Sequence, residues 1–134
     1  MINKNELENK INEYMETKYK RFINLLESEI DTQLIQQNGI AEIDKFKFIE
    51  LMQDAKNKYS FKVFNNASRE FLLLCSEGRC YSCFNFEKFL ESSDDNLYGI
   101  CLRYIIKKYY HNGYTINIHK ISKFNYKLEI RMIK

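Results

Sequence analysis

The sequence contains no proline, only four glycines and only two histidines among its 134 residues. So few glycines leave no Gly-rich loop to cradle a phosphate, and neither an H-E-x-x-H nor a G-x-S-x-G motif occurs. His111 is expected at a helix end and His119 on the polar face of a strand, which are ordinary surface positions. These scarcities predict a protein without enzymatic activity and without a cofactor.

Long apolar runs are also missing. A membrane span needs roughly 18 to 20 apolar residues in a row, and residues 1–6 are too polar for a signal peptide. We therefore expect a cytoplasmic, intracellular protein that does not bind a membrane. In that reducing compartment cysteines are thiols or metal ligands rather than disulfides.

The chain is rich in residues that are encoded by AT-rich codons. Phe, Tyr, Met, Ile, Asn and Lys make up 70 of the 134 residues, whereas Ala, Gly, Pro and Arg make up 12. This bias indicates an AT-rich genome, such as that of a low-GC bacterium, a phage or a large DNA virus. A chain of this length fits a single domain over 1–134, and no repeat or Pro-rich linker marks a boundary within it.

The first part of the domain, residues 1–38, is predicted to be one long amphipathic helix that ends at Asn38-Gly39. Such a helix would be about 48 Å long, so it must bend, break or project from a domain of this size. A projecting helix would use its apolar stripe to bind a protein partner or a second copy of the chain, and the alternative is that the stripe closes the core. The residues of this N-terminal stripe are Leu7, Ile11, Met15 and Tyr19.

The middle part, residues 41–92, is predicted to be mainly helical. Its expected pieces are, in order, a helix over 41–59 that begins near Asp44, a short strand over 61–64, a turn at Asn65-Asn66, a helix over 68–76 and one or two helical turns over 85–91.

The last part, residues 97–134, changes from a helical to a strand pattern. Apolar residues over 97–111 repeat at helical spacing, and Asn112-Gly113 follows as a stop. Apolar and polar residues then alternate on both sides of a turn at 122–125, which predicts an antiparallel β-hairpin packed on the helix. The fold class is therefore α+β, with several helices and a hairpin that alternatively belongs to a small three-stranded sheet.

Charge is divided unevenly along the chain. Residues 101–134 carry eight Lys and Arg against the single acid Glu129, a net charge of +7, while the first hundred residues carry −4. A basic face attracts nucleic acid or an acidic protein surface, and the alternative is a solvated face. The order helix, turn, helix and hairpin resembles a winged-helix module, which implies a helix in the major groove flanked by the hairpin. The candidate contact residues are Arg103, Lys107, His111, Lys120, Lys123, Lys127 and Arg131.

The four cysteines, Cys75, Cys80, Cys83 and Cys101, include a C-x4-C-x2-C spacing over 75–83. That spacing resembles the cluster-binding loop of plant-type [2Fe–2S] ferredoxins, which implies four thiolate ligands. The same four thiolates are also a candidate zinc site. Free cysteines are usually buried, and Cys75 and Cys101 fall on apolar helix faces, so we favour structural thiols.

From the sequence alone we expect a small, non-enzymatic accessory protein that acts through a protein–protein interface. The first alternative is a nucleic-acid-binding, winged-helix-like protein that uses the basic segment 97–134. The second alternative is a small zinc-stabilised domain.

Overall fold

The computed structural model describes the backbone of residues 1–80, 83–84 and 97–133 and the side chains of 1–10, 13, 19–76 and 101–133. It confirms the α+β class. In chain order the elements are α1 Lys4–Lys18, α2 Lys20–Gln36, β1 Ile40–Asp44, α3 Lys45–Lys56, α4 Phe61–Gly78, β2 Arg79–Cys80, β3 Cys83–Phe84, α5 Leu97–His111, β4 Tyr114–Ser122 and β5 Asn125–Met132. The helical turns expected over 85–91 lie outside the described residues.

The predicted N-terminal helix is broken at Tyr19. This residue, which links α1 and α2, leaves helical geometry with φ −111° and ψ 21°, and its side chain is buried in the core. The predicted stop is confirmed, because α2 ends at Gln36 and both Asn38 and Gly39 adopt positive φ. At Gly39 a Cβ would also come within 3.2 Å of Met132, so glycine suits this position for two reasons.

The predicted helix over 41–59 is wrong in its first four residues and in its last three, since α3 ends at Lys56. Residues 41–44 belong to strand β1, because β5 pairs with them and Ala41 and Ile43 are fully buried beneath the sheet. The helix α3 begins after Asp44, as predicted, and the Asp44 carboxylate accepts a hydrogen bond from the Lys47 N–H at 2.8 Å.

Helix α4 replaces a predicted strand over 61–64 and a predicted turn at Asn65-Asn66. Ser60 caps this helix by accepting a hydrogen bond from the Val63 N–H at 3.2 Å. The helix runs unbroken through the two asparagines because its buried residues recur at helical spacing across them. These residues are Val63, Ala67, Phe71, Leu74 and Cys75.

The hairpin and the three-stranded sheet are confirmed, with antiparallel strands in the order β1-β5-β4. The register places Ile43, Leu128 and Ile118 in one row, and the sheet buries this face against the helices. The opposite edge of β1 is covered by Gln33 of α2, whose amide bonds both the N–H and the C=O of Glu42 at 2.8 and 3.0 Å. Covering the edge in this way protects the strand from pairing with another chain.

The core is a single cluster to which the sheet and the helices α2 to α5 contribute. Phe48 of α3 lies at its centre, 5.8 Å from the ring of Phe22 on α2 and 5.4 Å from that of Phe71 on α4. Each such buried ring contributes roughly 1.5–3 kcal/mol by leaving water. Phe48 therefore holds α3 and α4 in a fixed relation to the rest of the domain.

The helix predicted over 97–111 is confirmed as α5, which packs against α2, α4 and β4. It ends at the predicted stop, where the Asn112 N–H donates to the Lys108 carbonyl and Gly113 adopts φ 90°.

Candidate nucleic-acid interface

The outer face of the sheet carries several of the predicted contact residues, but acids lie among them. We call this surface the sheet face, and its ionisable members are Glu42, His119, Lys127, Glu129 and Arg131. Lys127 Nζ lies 3.1 Å from Glu42 Oε1, and Arg131 Nε lies 3.3 Å from Glu129 Oε1. The predicted basic character of these strands is therefore largely neutralised within the fold.

Glu129 is the least exposed acid in these pairs, with a side chain that is 12% exposed. Its burial alone would raise the carboxyl pKa, but the hydrogen bond and charge of Arg131, together with His119, outweigh burial and lower that pKa. His119 Nε2 lies 3.6 Å from Glu129 Oε2. Arg131 and His119 thus favour the ionised form of this carboxylate.

Helix α5 presents fewer free cations than its sequence indicated. Arg103, expected on a solvent-exposed face, is only 7% exposed, because α5 is covered by α2, α4 and β4 and not by one neighbour alone. Lys108 Nζ lies 3.8 Å from Glu27 Oε1 of α2. Lys107 and His111 remain exposed. The prediction that Arg103, Lys107 and His111 form one continuous exposed surface for phosphates is therefore wrong.

The tip of the β4–β5 hairpin keeps its predicted positive charge. Lys120 and Lys123 are exposed, and no ion pair joins either of them to an acid in the described part of the chain. Ile121 and Phe124 beside them are 57% and 62% exposed. The tip is thus a small cationic and apolar projection.

Only residues 57–60 separate helices α3 and α4, which pack on each other, and we call this helix, turn and helix the helix–turn–helix. Asn57 adopts the left-handed conformation with φ 51°, which reverses the chain. Arg21 of α2 fixes this turn, since its Nε donates to the Asp54 carbonyl at 3.1 Å and its Nη2 donates to Asn57 Oδ1 at 2.9 Å. The Tyr59 hydroxyl also donates to the Asp54 carboxylate, which raises the pKa of that phenol.

The outward side of α4 is polar and carries residues that the sequence did not nominate. We call Lys62, Asn65, Asn66 and Arg69 the α4 stripe. All four are exposed, and on a helix of 100° per residue they fall within an arc of about 100°. Across the described residues, none of their side chains makes a hydrogen bond or an ion pair with another. Their donors, acceptors and charges all face solvent.

The turn next to the α4 stripe is also basic. Lys56 and Lys58 are exposed just before α4, where Lys62 follows one turn into the helix. The acids nearby are engaged, because Glu50 lies 3.2 Å from Lys47 and the Asp54 carboxylate accepts from Tyr59. Among the described residues no ion pair joins Lys58, Lys62 or Arg69 to an acid, so these three cations face solvent.

Sequence reasoning missed the α4 stripe because residues 61–66 were interpreted as a strand and a turn. The signal that identifies the helix is the spacing of Val63, Ala67 and Phe71, four residues apart, on both sides of the asparagine pair.

The predicted N-terminal stripe is divided between two environments. Tyr19 is buried in the core of the chain itself, whereas Leu7 is 48% exposed and all of residues 1–10 are exposed. The side chains of Ile11 and Met15 lie outside the described residues. The stripe is therefore not one continuous exposed surface.

The structure describes the side chains of two of the four cysteines. Cys75 and Cys101 are fully buried free thiols, and burial raises the pKa of both, that of Cys101 to about 12. Both are therefore protonated at neutral pH. Cys80 and Cys83 are register partners in the β2–β3 ladder, and their side chains are outside the description. Over the described ranges, no three His, Cys, Asp or Glu residues are grouped to hold a metal ion.

Comparisons of the chain with protein-family models, curated proteins and solved structures gave no match. Among the helices that the structure describes, none is long and apolar enough to cross a membrane. Function is therefore inferred from the surfaces described above.

Proposed function

We propose that this chain is an intracellular, non-enzymatic protein that binds duplex DNA through the helix–turn–helix formed by α3 and α4. The observation that carries the proposal is the α4 stripe, whose Lys62 and Arg69 pair with no acid in the described part of the chain, together with the exposed Lys58 of the turn. In DNA-bound helix–turn–helix proteins the second helix lies in the major groove and the first crosses the backbone. The 18 residues of α4 span about 27 Å, long enough to follow the groove over several base pairs.

The proposal assigns the groove to α4 and not to α5, in contrast to the expectation from the sequence. Arg103 of α5 is buried and Lys108 is paired with Glu27, whereas Lys62 and Arg69 of α4 are exposed and pair with no acid among the described residues. The exposed tip lysines Lys120 and Lys123 add positive charge that would attract phosphates.

Duplex DNA fits this surface better than duplex RNA. The major groove of B-form DNA is about 12 Å wide and admits an α-helix, whereas that of A-form RNA is deep and too narrow for side-chain reading. A helix that presents its polar side chains over several turns therefore requires the B-form groove.

The test is fluorescence anisotropy with a labelled 30-base-pair duplex over a series of salt concentrations. We expect micromolar or tighter binding at about 100 mM salt, with a log–log slope of about −0.9 for each phosphate contacted. The double variant Lys58→Glu, Lys62→Glu should weaken binding roughly tenfold or more and make the slope shallower by about 1.8.

The matched control makes the same charge change on exposed helix positions outside the helix–turn–helix, Lys10→Glu with Lys107→Glu. It should weaken binding much less. Equal effects of the two double variants, or the absence of duplex binding by the intact chain, would contradict the proposal.

A second candidate function, protein binding or self-association, is supported by α1. Residues 1–10 are exposed throughout, including Leu7 and Ile2, so a second copy of the chain or a protein partner could cover them. Light scattering on the intact chain should then show a dimer, and Leu7→Glu should yield a folded monomer. A monomeric intact chain would leave the self-association proposal without support and restrict α1 to a partner of different sequence.

A further inference from the structure

We infer that the α4 stripe reads base sequence, with Asn65 and Asn66 directed to adenine and Arg69 directed to guanine. This inference rests on the proposed DNA binding and goes beyond it, because phosphate contacts position a protein without conveying sequence information. An asparagine amide can donate and accept at once toward adenine N7 and N6. The arginine fork donates twice to guanine O6 and N7.

The positions of these three side chains suit a groove-bound helix. They lie in the N-terminal half of α4, the part of a recognition helix that contacts base edges. From Asn66 to Arg69 the helix rises about 4.5 Å, slightly more than the 3.4 Å between stacked bases. The stripe therefore covers two or three adjacent base pairs that include an adenine and a guanine.

Among the described residues the two asparagines make no hydrogen bond that explains their place in a helix. Asparagine is a weak helix former because its side chain competes for backbone hydrogen bonds, and its usual place is a cap or a turn. Asn65 and Asn66 are fifth and sixth in α4, and neither side chain bonds the backbone or any other described group. The AT-rich codon bias explains how many asparagines there are but not their grouping with Arg69, one of five arginines in the chain.

A protein partner fits the same surface less well. The centre of a protein–protein interface is apolar and aromatic, with charged residues depleted. Within the arc of the α4 stripe the only large apolar side chain among the described residues is Leu73, at 37% exposure, whereas the exposed rings of Phe61 and Phe64 lie outside that arc. Hydrogen-bonding side chains without an apolar centre are typical of base readout.

The experiment selects bound sequences from a pool of random duplexes with the full-length chain. The recovered consensus duplex and a scrambled duplex of the same composition are then compared by anisotropy at physiological salt. We expect a consensus containing adjacent A and G positions and at least a tenfold preference over the scrambled duplex.

Three substitutions test the assigned contacts, all at exposed positions where circular dichroism should show an unchanged fold. Asn66→Ala should reduce the preference for adenine at the contacted position about tenfold. Arg69→Lys keeps the charge but loses the fork, so it should retain binding to the scrambled duplex and lose about tenfold at the guanine position. Lys107→Ala, an exposed control on α5, should leave the preference unchanged.

The failures of the two proposals are distinguishable. Duplex binding of equal strength to all sequences overturns the base-reading inference and leaves the DNA-binding proposal intact. A preference that survives substitution of Asn65, Asn66 and Arg69 also overturns the inference, because the reading then occurs elsewhere on the chain. If no duplex of any sequence is bound, both proposals fall.

Discussion

The α4 stripe and the sheet face are both polar surfaces rich in hydrogen-bonding groups, and they differ in whether the fold satisfies them. On the sheet face, Glu42 of β1 pairs with Lys127 of the neighbouring strand β5. Glu129 pairs with Arg131, which follows it by two residues in the same strand. On the α4 stripe, the polar groups meet no partner within the described part of the chain. Net charge of a segment therefore says little about binding until its internal pairs are known.

The largest expected effect comes from removing the packing that holds α4 in place. Phe71→Ala deletes a fully buried ring beneath the stripe and should lower the free energy of unfolding by about 3–5 kcal/mol, measured by urea denaturation. Phe64→Ala on the same helix removes a ring that is already 36% exposed and should cost under about 1 kcal/mol. A similar cost for both variants would show that α4 does not pack on the core through Phe71.

A smaller effect is expected at the turn between α3 and α4. Arg21→Lys keeps the charge but removes the fork that bonds Asp54 and Asn57, so the free energy of unfolding should fall by about 1 kcal/mol. DNA binding should weaken several-fold, because the turn no longer holds α4 in register with α3.

Lys20→Ala is the control for this turn variant, since it alters the neighbouring exposed residue of α2. It should leave the free energy of unfolding unchanged within about 0.5 kcal/mol. Wild-type stability and DNA affinity in Arg21→Lys would contradict a positioning role for Arg21.

Local signals in the sequence were sufficient to predict α5, the hairpin and the Asp44 cap, because each of these depends on neighbours within a few residues. Strand β1 was missed because its pairing partner, β5, lies more than 80 residues later in the chain, and only that pairing makes 40–44 extended. Arg103 was misplaced because a helical wheel shows one apolar arc but not how many neighbours surround the helix. The α4 stripe was missed because asparagine pairs favour turns in isolation, and burial of Val63 and Ala67 overrides that preference.

Neutralising the acids of the sheet face tests whether their ion pairs keep this surface from binding DNA. Glu42→Gln with Glu129→Gln frees Lys127 and Arg131, so non-specific duplex affinity should rise a few-fold and the salt slope should steepen by up to about 1.8. Glu6→Gln with Glu8→Gln makes the same charge change on α1, at exposed positions. If this control raises affinity equally, net charge alone is responsible and the pairing on the sheet face is irrelevant.

The smallest effect concerns acid stability and distinguishes a charge pair from a packing contact. Arg131 and His119 lower the pKa of Glu129 in the folded protein, against the opposing effect of burial, so this carboxylate stabilises the fold above its unfolded-state pKa of about 4.3. That contribution is lost as the pH falls through the folded-state pKa. Glu129→Gln should therefore reduce the free energy of unfolding by up to about 1 kcal/mol at pH 7. In urea denaturation the gap between variant and wild type should close as the pH falls through the lowered folded-state pKa of Glu129, where the wild-type carboxyl also becomes neutral. A gap of constant size from pH 7 to pH 3 would mean that the side chain acts through packing and not through its charge, whereas Glu6→Gln should show no gap at either pH.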